Sequence, residues 1–183
     1  MYKISIISAS IRAGRKSHDV ALYLQDFLNQ NKIAIVEILD LASYNFPVFD
    51  APLKDQSNPS FLALDFQKKI IATDGIIIVT PEYNGSIPAS LKNVIDLLYD
   101  EWHRKPIAFS TVSSGNFGGL QALKDLQFIF WKVRAWTFTA NFPVSLVQEK
   151  FGHFGIPVNR DETDKFAKVF IAEFINCIES SKK

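Results

Sequence analysis

The chain has 183 residues, with 20 Lys and Arg against 19 Asp and Glu and a formal net charge of +1 at pH 7. That length suits one domain with a sizeable core, and the near balance of charge excludes the concentrated basic face of a typical nucleic-acid binder. Cys177 is the only cysteine, which excludes an internal disulfide or a paired-cysteine redox motif and makes a reducing cytoplasm the default compartment.

The first strand is expected at Lys3–Ile7. The apolar stretch Ile4–Ile11 reads as this strand and its exit rather than as a signal peptide, because serines interrupt it. A polar loop, Ser8–Lys16, follows. Ser17 then stands as an N-cap for a helix over His18–Gln30, whose apolar stripe is Val20, Ala21, Leu24, Phe27 and Leu28. Ile33–Ile38 reads as a second strand, nearer a sheet edge.

Ala42–Pro59 is irregular, with Pro47, Pro52 and Pro59. Its Tyr44, Phe46, Val48 and Phe49 are too apolar for a bare linker, so it packs on the domain or on a partner. Ser60–Thr73 reads as a helix, and Gly75–Val79 as a third strand buried on both faces. After the loop Thr80–Ile87, Pro88 fits the first turn of a helix with Leu91, Val94, Ile95 and Leu98 inward.

Pro106–Val112 is the fourth strand. The loop Ser113–Gly119 leads into a helix carrying Leu123, Leu126 and Phe130. Ala135–Thr139 is a fifth strand. Asn141–Asn159 stays ambiguous, with room for a short strand around Ser145–Val147. Asp161–Glu179 closes the chain as a helix with Phe166, Val169, Phe170, Phe174 and Ile178 inward. No apolar run reaches membrane-spanning length, so no membrane is expected as a partner, and the three charges of Arg12, Arg15 and Lys16 in one loop suit a small anion better than a nucleic acid.

Five strands separated by helices imply an α/β fold, a five-stranded parallel sheet of order 2-1-3-4-5 with helices on both faces, flavodoxin-like, over a single domain of residues 1–183. Ligands bind such folds outside the carboxyl ends of the strands. Three loops stand there. The first, Ser8 to His18, offers an anion the hydroxyls of Ser10 and Ser17, the planar fork of Arg12, a bend at Gly14 and the opening amides of a helix. A plain strand-to-helix turn explains the same residues. His18 sits where a cation opposes the helix dipole, so it does not read as a general base; in contact with a phosphate, its ring or backbone N–H would be the donor. No Walker A or GxGxxG run is present.

The second loop, Thr80 to Pro88, offers Tyr83 to a planar ring and Asn84 to an amide-like edge, with Glu82 as a brace. The third, Ser113 to Gly119, is a bare backbone shelf. Taken alone, the second is better explained as a proline-bounded turn, and turn chemistry explains the third nearly as well. Together the three suit a phosphorylated planar cofactor. The histidines lack metal-ligand spacing and no GxSxG elbow occurs, so neither a metal site nor a nucleophilic catalytic residue is expected. Cys177 reads as a small core hydrophobe.

The string Thr80-Pro81-Glu82-Tyr83-Asn84-Gly85-Ser86-Ile87-Pro88-Ala89-Ser90-Leu91-Lys92-Asn93, continuing through Ile95-Asp96, Glu101-Trp102 and Lys105-Pro106, resembles the NAD(P)H-dependent FMN reductases, a family with quinone, azo-dye and chromate reductase members. Ala9-Ser10-Ile11-Arg12 with Ser17 is similar to that family's Gly-Ser-x-Arg phosphate motif, with Ala9 where the family often has glycine. Alanine fits there only at negative φ.

The resemblance implies Ser10, Arg12, Ser17 and His18 around the FMN phosphate, and Pro81, Glu82, Tyr83 and Asn84 along the isoalloxazine. Ser113, Gly115 and Gly118 would approach its other rim. It implies hydride transfer from NADPH or NADH to flavin N5, then reduction of a quinone-like or other small acceptor by a ping-pong route, in a homodimer or homotetramer. An FMN-binding electron carrier or redox sensor, and an interaction domain without cofactor, are the alternatives.

Overall fold

Ile76, Ile77, Ile78 and Val79 have no exposed surface, as expected of a β-branched run covered on both faces. They form the centre of a strand in the computed structural model, which describes residues 1–182. The strands are β1 (Tyr2–Ser8), β2 (Ala34–Asp40), β3 (Gly75–Pro81), β4 (Pro106–Val112) and β5 (Trp136–Asn141). They make one parallel sheet of order β2-β1-β3-β4-β5. Ile6 stands between Ile38 and Ile77, and Ile77 pairs onward with Ala108. The order reverses between β1 and β3, which opens a crevice beyond their carboxyl ends.

The helices are α1 (Lys16–Gln30), α2 (Leu41–Tyr44), α3 (Phe61–Ala72), α4 (Ala89–Leu97), α5 (Leu120–Lys132), α6 (Val147–Lys150) and α7 (Arg160–Ser181). α1 and α7 cover one face of the sheet, with Val20, Leu24, Leu28, Phe170 and Phe174 in its core. α3, α4 and α5 cover the other through Phe66, Ile70, Leu91, Ile95, Leu126 and Phe130. Among the described residues no helix is long and apolar enough to cross a membrane, and no cluster of side chains could hold a metal.

Several local expectations are corrected. Ser17 is not the N-cap of α1. The helix starts at Lys16 behind Arg15, so Ser17 lies inside the first turn. The Arg15 side chain reaches the first-loop backbone at Ser10 O and the carboxylate of Asp40. Asp40 accepts from Ala42 N at 3.0 Å and so caps α2, where only irregular chain is expected. Pro88 precedes α4 rather than opening it.

Ser145–Val147 forms no strand. Val144 makes a single bridge to Val112, and Val147 begins α6. On α7, Phe166 and Val169 are 65% and 66% exposed, and Ala167 and Ile171 complete the buried stripe instead. The spacing 167, 170, 171, 174, 178 is the tighter helical repeat.

Candidate functional site

β1 delivers the first loop directly beside β3. Ala9 N donates to Val79 O at 3.0 Å, and Ser90 Oγ donates to Ala9 O at 2.6 Å. Ala9 is fully buried and is not among the positive-φ residues, so alanine stands there without backbone strain. Ser10 is fully buried as well. Its Oγ accepts from Arg12 N at 3.3 Å and lies 2.7 Å from Tyr83 Oη. Arg15 Nη1 donates to Ser10 O at 2.6 Å, while Nη2 pairs with Asp40. The loop is thus folded onto its own backbone, leaving Arg12, Ala13 and Gly14 exposed.

Beyond it, the opening amides of α1 have no partner within the helix. Ser17 Oγ is buried and has no hydrogen-bond partner. A buried, unpaired hydroxyl is costly. Here it borders a cleft of about 250 Å³ lined by Arg12, Gly14, Ser17, Glu82, Tyr83 and Ser113 among others. A donor hydroxyl, a guanidinium and a helix N-terminus meeting at one cleft fit a phosphate group.

His18 is turned elsewhere. Its Nδ1 lies 3.0 Å from Oγ of the fully buried Ser8. Burial holds the ring below its ordinary value; Asp40 opposes that depression and Arg15 adds to it. The Nδ1 side of the ring is thus taken up by Ser8 rather than by the cleft.

The second loop is a two-residue hairpin. Tyr83 N donates to Ser86 O at 2.8 Å and Ser86 N to Tyr83 O at 3.0 Å. Asn84 at φ 50° and Gly85 at φ 77° supply the two left-handed residues of a type I′ turn. Glu82 leaves this loop for α5, where its Oε2 accepts from Gln121 N at 2.9 Å and Ala122 N at 3.4 Å.

In the third loop, Ser113 N donates to Val144 O at 2.9 Å and Ser113 Oγ to Gly115 O at 2.9 Å. Thr111 Oγ1 donates to Gly118 O at 2.7 Å. Gly119 has φ +81°, and a Cβ there would stand 2.9 Å from Thr111 Cβ, so only glycine lets α5 start so close to β4.

Arg12, Ser17, Pro81, Glu82, Tyr83 and Ser113 therefore line one cleft. Ser10 lies beneath it, His18 behind it, and Asn84, Gly115 and Gly118 outside its lining. Ser114 of the third loop also lines it, as do Val147 and Gln148, which sequence reasoning missed. Val147 and Gln148 belong to the segment that read as ambiguous. It missed the Arg15–Asp40 pair too, because nothing in the local pattern links residues 25 apart.

Residues 2–149 match the pattern of the family described as NADPH-dependent FMN reductase. Over 135 residues the chain is 35% identical to the NAD(P)H-dependent FMN reductase ntnL of a Nectria species, covering 69% of this chain and 66% of that one. It is 32% identical over 138 residues to an NAD(P)H-dependent FMN reductase of Saccharomyces cerevisiae, covering 68% and 71%. A quinone reductase of Pseudomonas putida is 33% identical over 128 residues, covering 67% and 66%. The matches thus span about two thirds of these relatives' own length. Among solved structures, FerB, a flavoenzyme NAD(P)H:(acceptor) oxidoreductase from Paracoccus denitrificans, superposes with a TM-score of 0.80 at 23% identity, over 99% of both chains.

Proposed function

This chain belongs to the NADPH-dependent FMN reductase family, and on that premise we propose that it is an NAD(P)H-dependent FMN oxidoreductase that reduces a quinone-like or other small acceptor. The observation that carries the reading is the unpartnered, buried Ser17 hydroxyl at a helix N-terminus, beside Arg12 in the cleft where the three loops meet. When bound, FMN supplies the redox chemistry, taking a hydride equivalent from the nicotinamide and passing electrons to the acceptor.

The chain's own residues bind and orient. Arg12 and the opening amides of α1 would offset phosphate charge, and the Ser17 hydroxyl would donate a hydrogen bond to a phosphate oxygen. Pro81, Glu82 and Tyr83 would border the ring on one side and Ser113 on the other, with Asn84, Gly115 and Gly118 reaching it from the loop tips beyond the cleft. Asn84 is exposed at its hairpin tip, free to meet the polar edge of the ring. Ser10 acts from below by holding the Arg12 amide and Tyr83, and His18 by bracing Ser8. No side chain in the cleft is set up as a nucleophile, and donor and acceptor would occupy the site in turn, a ping-pong order.

A homodimer or homotetramer is part of the proposal. Val48 is 88% exposed and Phe49 lies near it in the segment beside α4, apolar surface that a second subunit would cover. One free cysteine suits a reducing cytoplasm.

Purified protein mixed with FMN is expected to keep flavin absorbance through gel filtration. NADPH or NADH should bleach it without oxygen, and a quinone should restore it. Retained flavin that millimolar nicotinamide fails to bleach would instead identify an electron carrier or redox sensor.

A further inference from the structure

We propose that Glu82 is a positioning residue whose carboxylate caps α5 from the neighbouring loop, setting the spacing of the two ring-bordering loops and lowering the reduction potential of the flavin between them. The inference rests on the FMN reading above.

α5 cannot cap itself. Its N-cap is Gly119, which carries no side chain, and a Cβ there would collide with Thr111. The first amides of the helix need an acceptor from elsewhere. Glu82 Oε2 supplies it to Gln121 N at 2.9 Å and Ala122 N at 3.4 Å. The Glu82 backbone is anchored in turn, its N donating to Val112 O at 3.1 Å. Ser86 Oγ adds a second tie, donating to Asp125 Oδ2 at 2.6 Å, one turn further along α5. The second loop is therefore fastened to the helix that follows the third, and the gap between the two loops is fixed by this pair of contacts.

The same carboxylate sets charge. A helix N-terminus carries roughly half a positive charge, favourable to an anion beside it. Reduction adds negative charge to a flavin, and a bare α5 terminus would reward it. Glu82 lines the cleft and brings a full negative charge to that terminus, so the oxidised form gains and the bound flavin becomes a stronger reductant.

The test compares midpoint potential and FMN affinity in the FMN-loaded wild type, Glu82→Gln and Glu82→Ala. Glutamine keeps an oxygen for the two amides and removes the charge. Glu82→Gln is expected to move the redox equilibrium about tenfold toward the reduced form, about 30 mV for a two-electron couple, with FMN affinity kept within about threefold. Glu82→Ala should show that shift together with FMN binding weakened about tenfold, because the helix loses its cap.

A Glu82→Gln potential equal to that of the wild type overturns the electrostatic role, which a purely structural brace would not move. Equal loss of affinity in both variants overturns the cap. A wild type that takes up no FMN overturns the functional reading and this assignment with it, whereas a wild type that binds FMN beside an unshifted Glu82→Gln overturns this assignment alone.

Discussion

Ser10 Oγ and Tyr83 Oη lie 2.7 Å apart, joining the loop after β1 to the hairpin after β3 across 73 residues of sequence. Ser10 already accepts from Arg12 N, so one hydroxyl orders both the guanidinium-bearing turn and the aromatic side chain facing the cleft. Ser10→Ala and Tyr83→Phe should each lower stability by about 1 kcal/mol, the ordinary worth of a partly buried hydrogen bond. The double variant should cost little more than either alone. Denaturant unfolding of the three variants measures the coupling, and strictly additive losses would show that the two hydroxyls act independently.

Ser17 carries a prediction of opposite sign for stability and binding. Its hydroxyl is buried without a partner, inside the first turn of a helix that alanine also favours. Ser17→Ala should therefore stabilise flavin-stripped protein by about 1 kcal/mol and weaken FMN binding by a similar amount. Thermal unfolding with and without FMN reads both effects. A variant less stable than the wild type in the stripped state would mean that the hydroxyl has a structural partner instead.

Arg12 is exposed and makes no side-chain hydrogen bond or ion pair among the described residues, unlike Arg15, which is spent on Ser10 O and Asp40. Truncating Arg12 to Ala should weaken FMN by about 2 kcal/mol through loss of a charge-assisted contact, leaving riboflavin affinity unchanged. Arg15→Ala should instead lower stability. Titrations with FMN and riboflavin separate the two arginines, and equal loss for both ligands in Arg12→Ala would remove the phosphate assignment.

The sheet order was legible because each β-branched run stands between helical stripes, and parallel pairing of such units leaves few topologies. The three loops were legible because Gly, Asn and Ser cluster where strands end. What stayed hidden is long-range. The Arg15–Asp40 pair and Glu82 at α5 join residues whose proximity exists only after the strands align. Polar side chains in a loop carry no pattern that says whether they face a ligand or the backbone of a neighbouring turn. Phe166 and Val169 were assigned inward because any apolar residue on α7 fits a loose helical repeat; the core accepts only the stripe that meets β4 and β5.

His18 gives a pH dependence with a defined sign. Burial lowers its folded-state value below the ordinary 6.5, so near and below pH 6.5 the unfolded chain binds a proton that the folded chain refuses. Stability then rises with pH where the unfolded state holds more protons. Its contribution should be constant above the unfolded value, fall as pH drops through it, and level off below the folded value. His18→Gln keeps a polar group beside Ser8 Oγ and removes the titration, so the difference in unfolding free energy between wild type and variant should be flat at neutral pH and shift in the variant's favour on acidification. Unfolding curves at a series of pH values measure it. A difference that does not change with pH would show that the ring titrates alike in both states and that the Ser8 contact does not depend on a neutral imidazole.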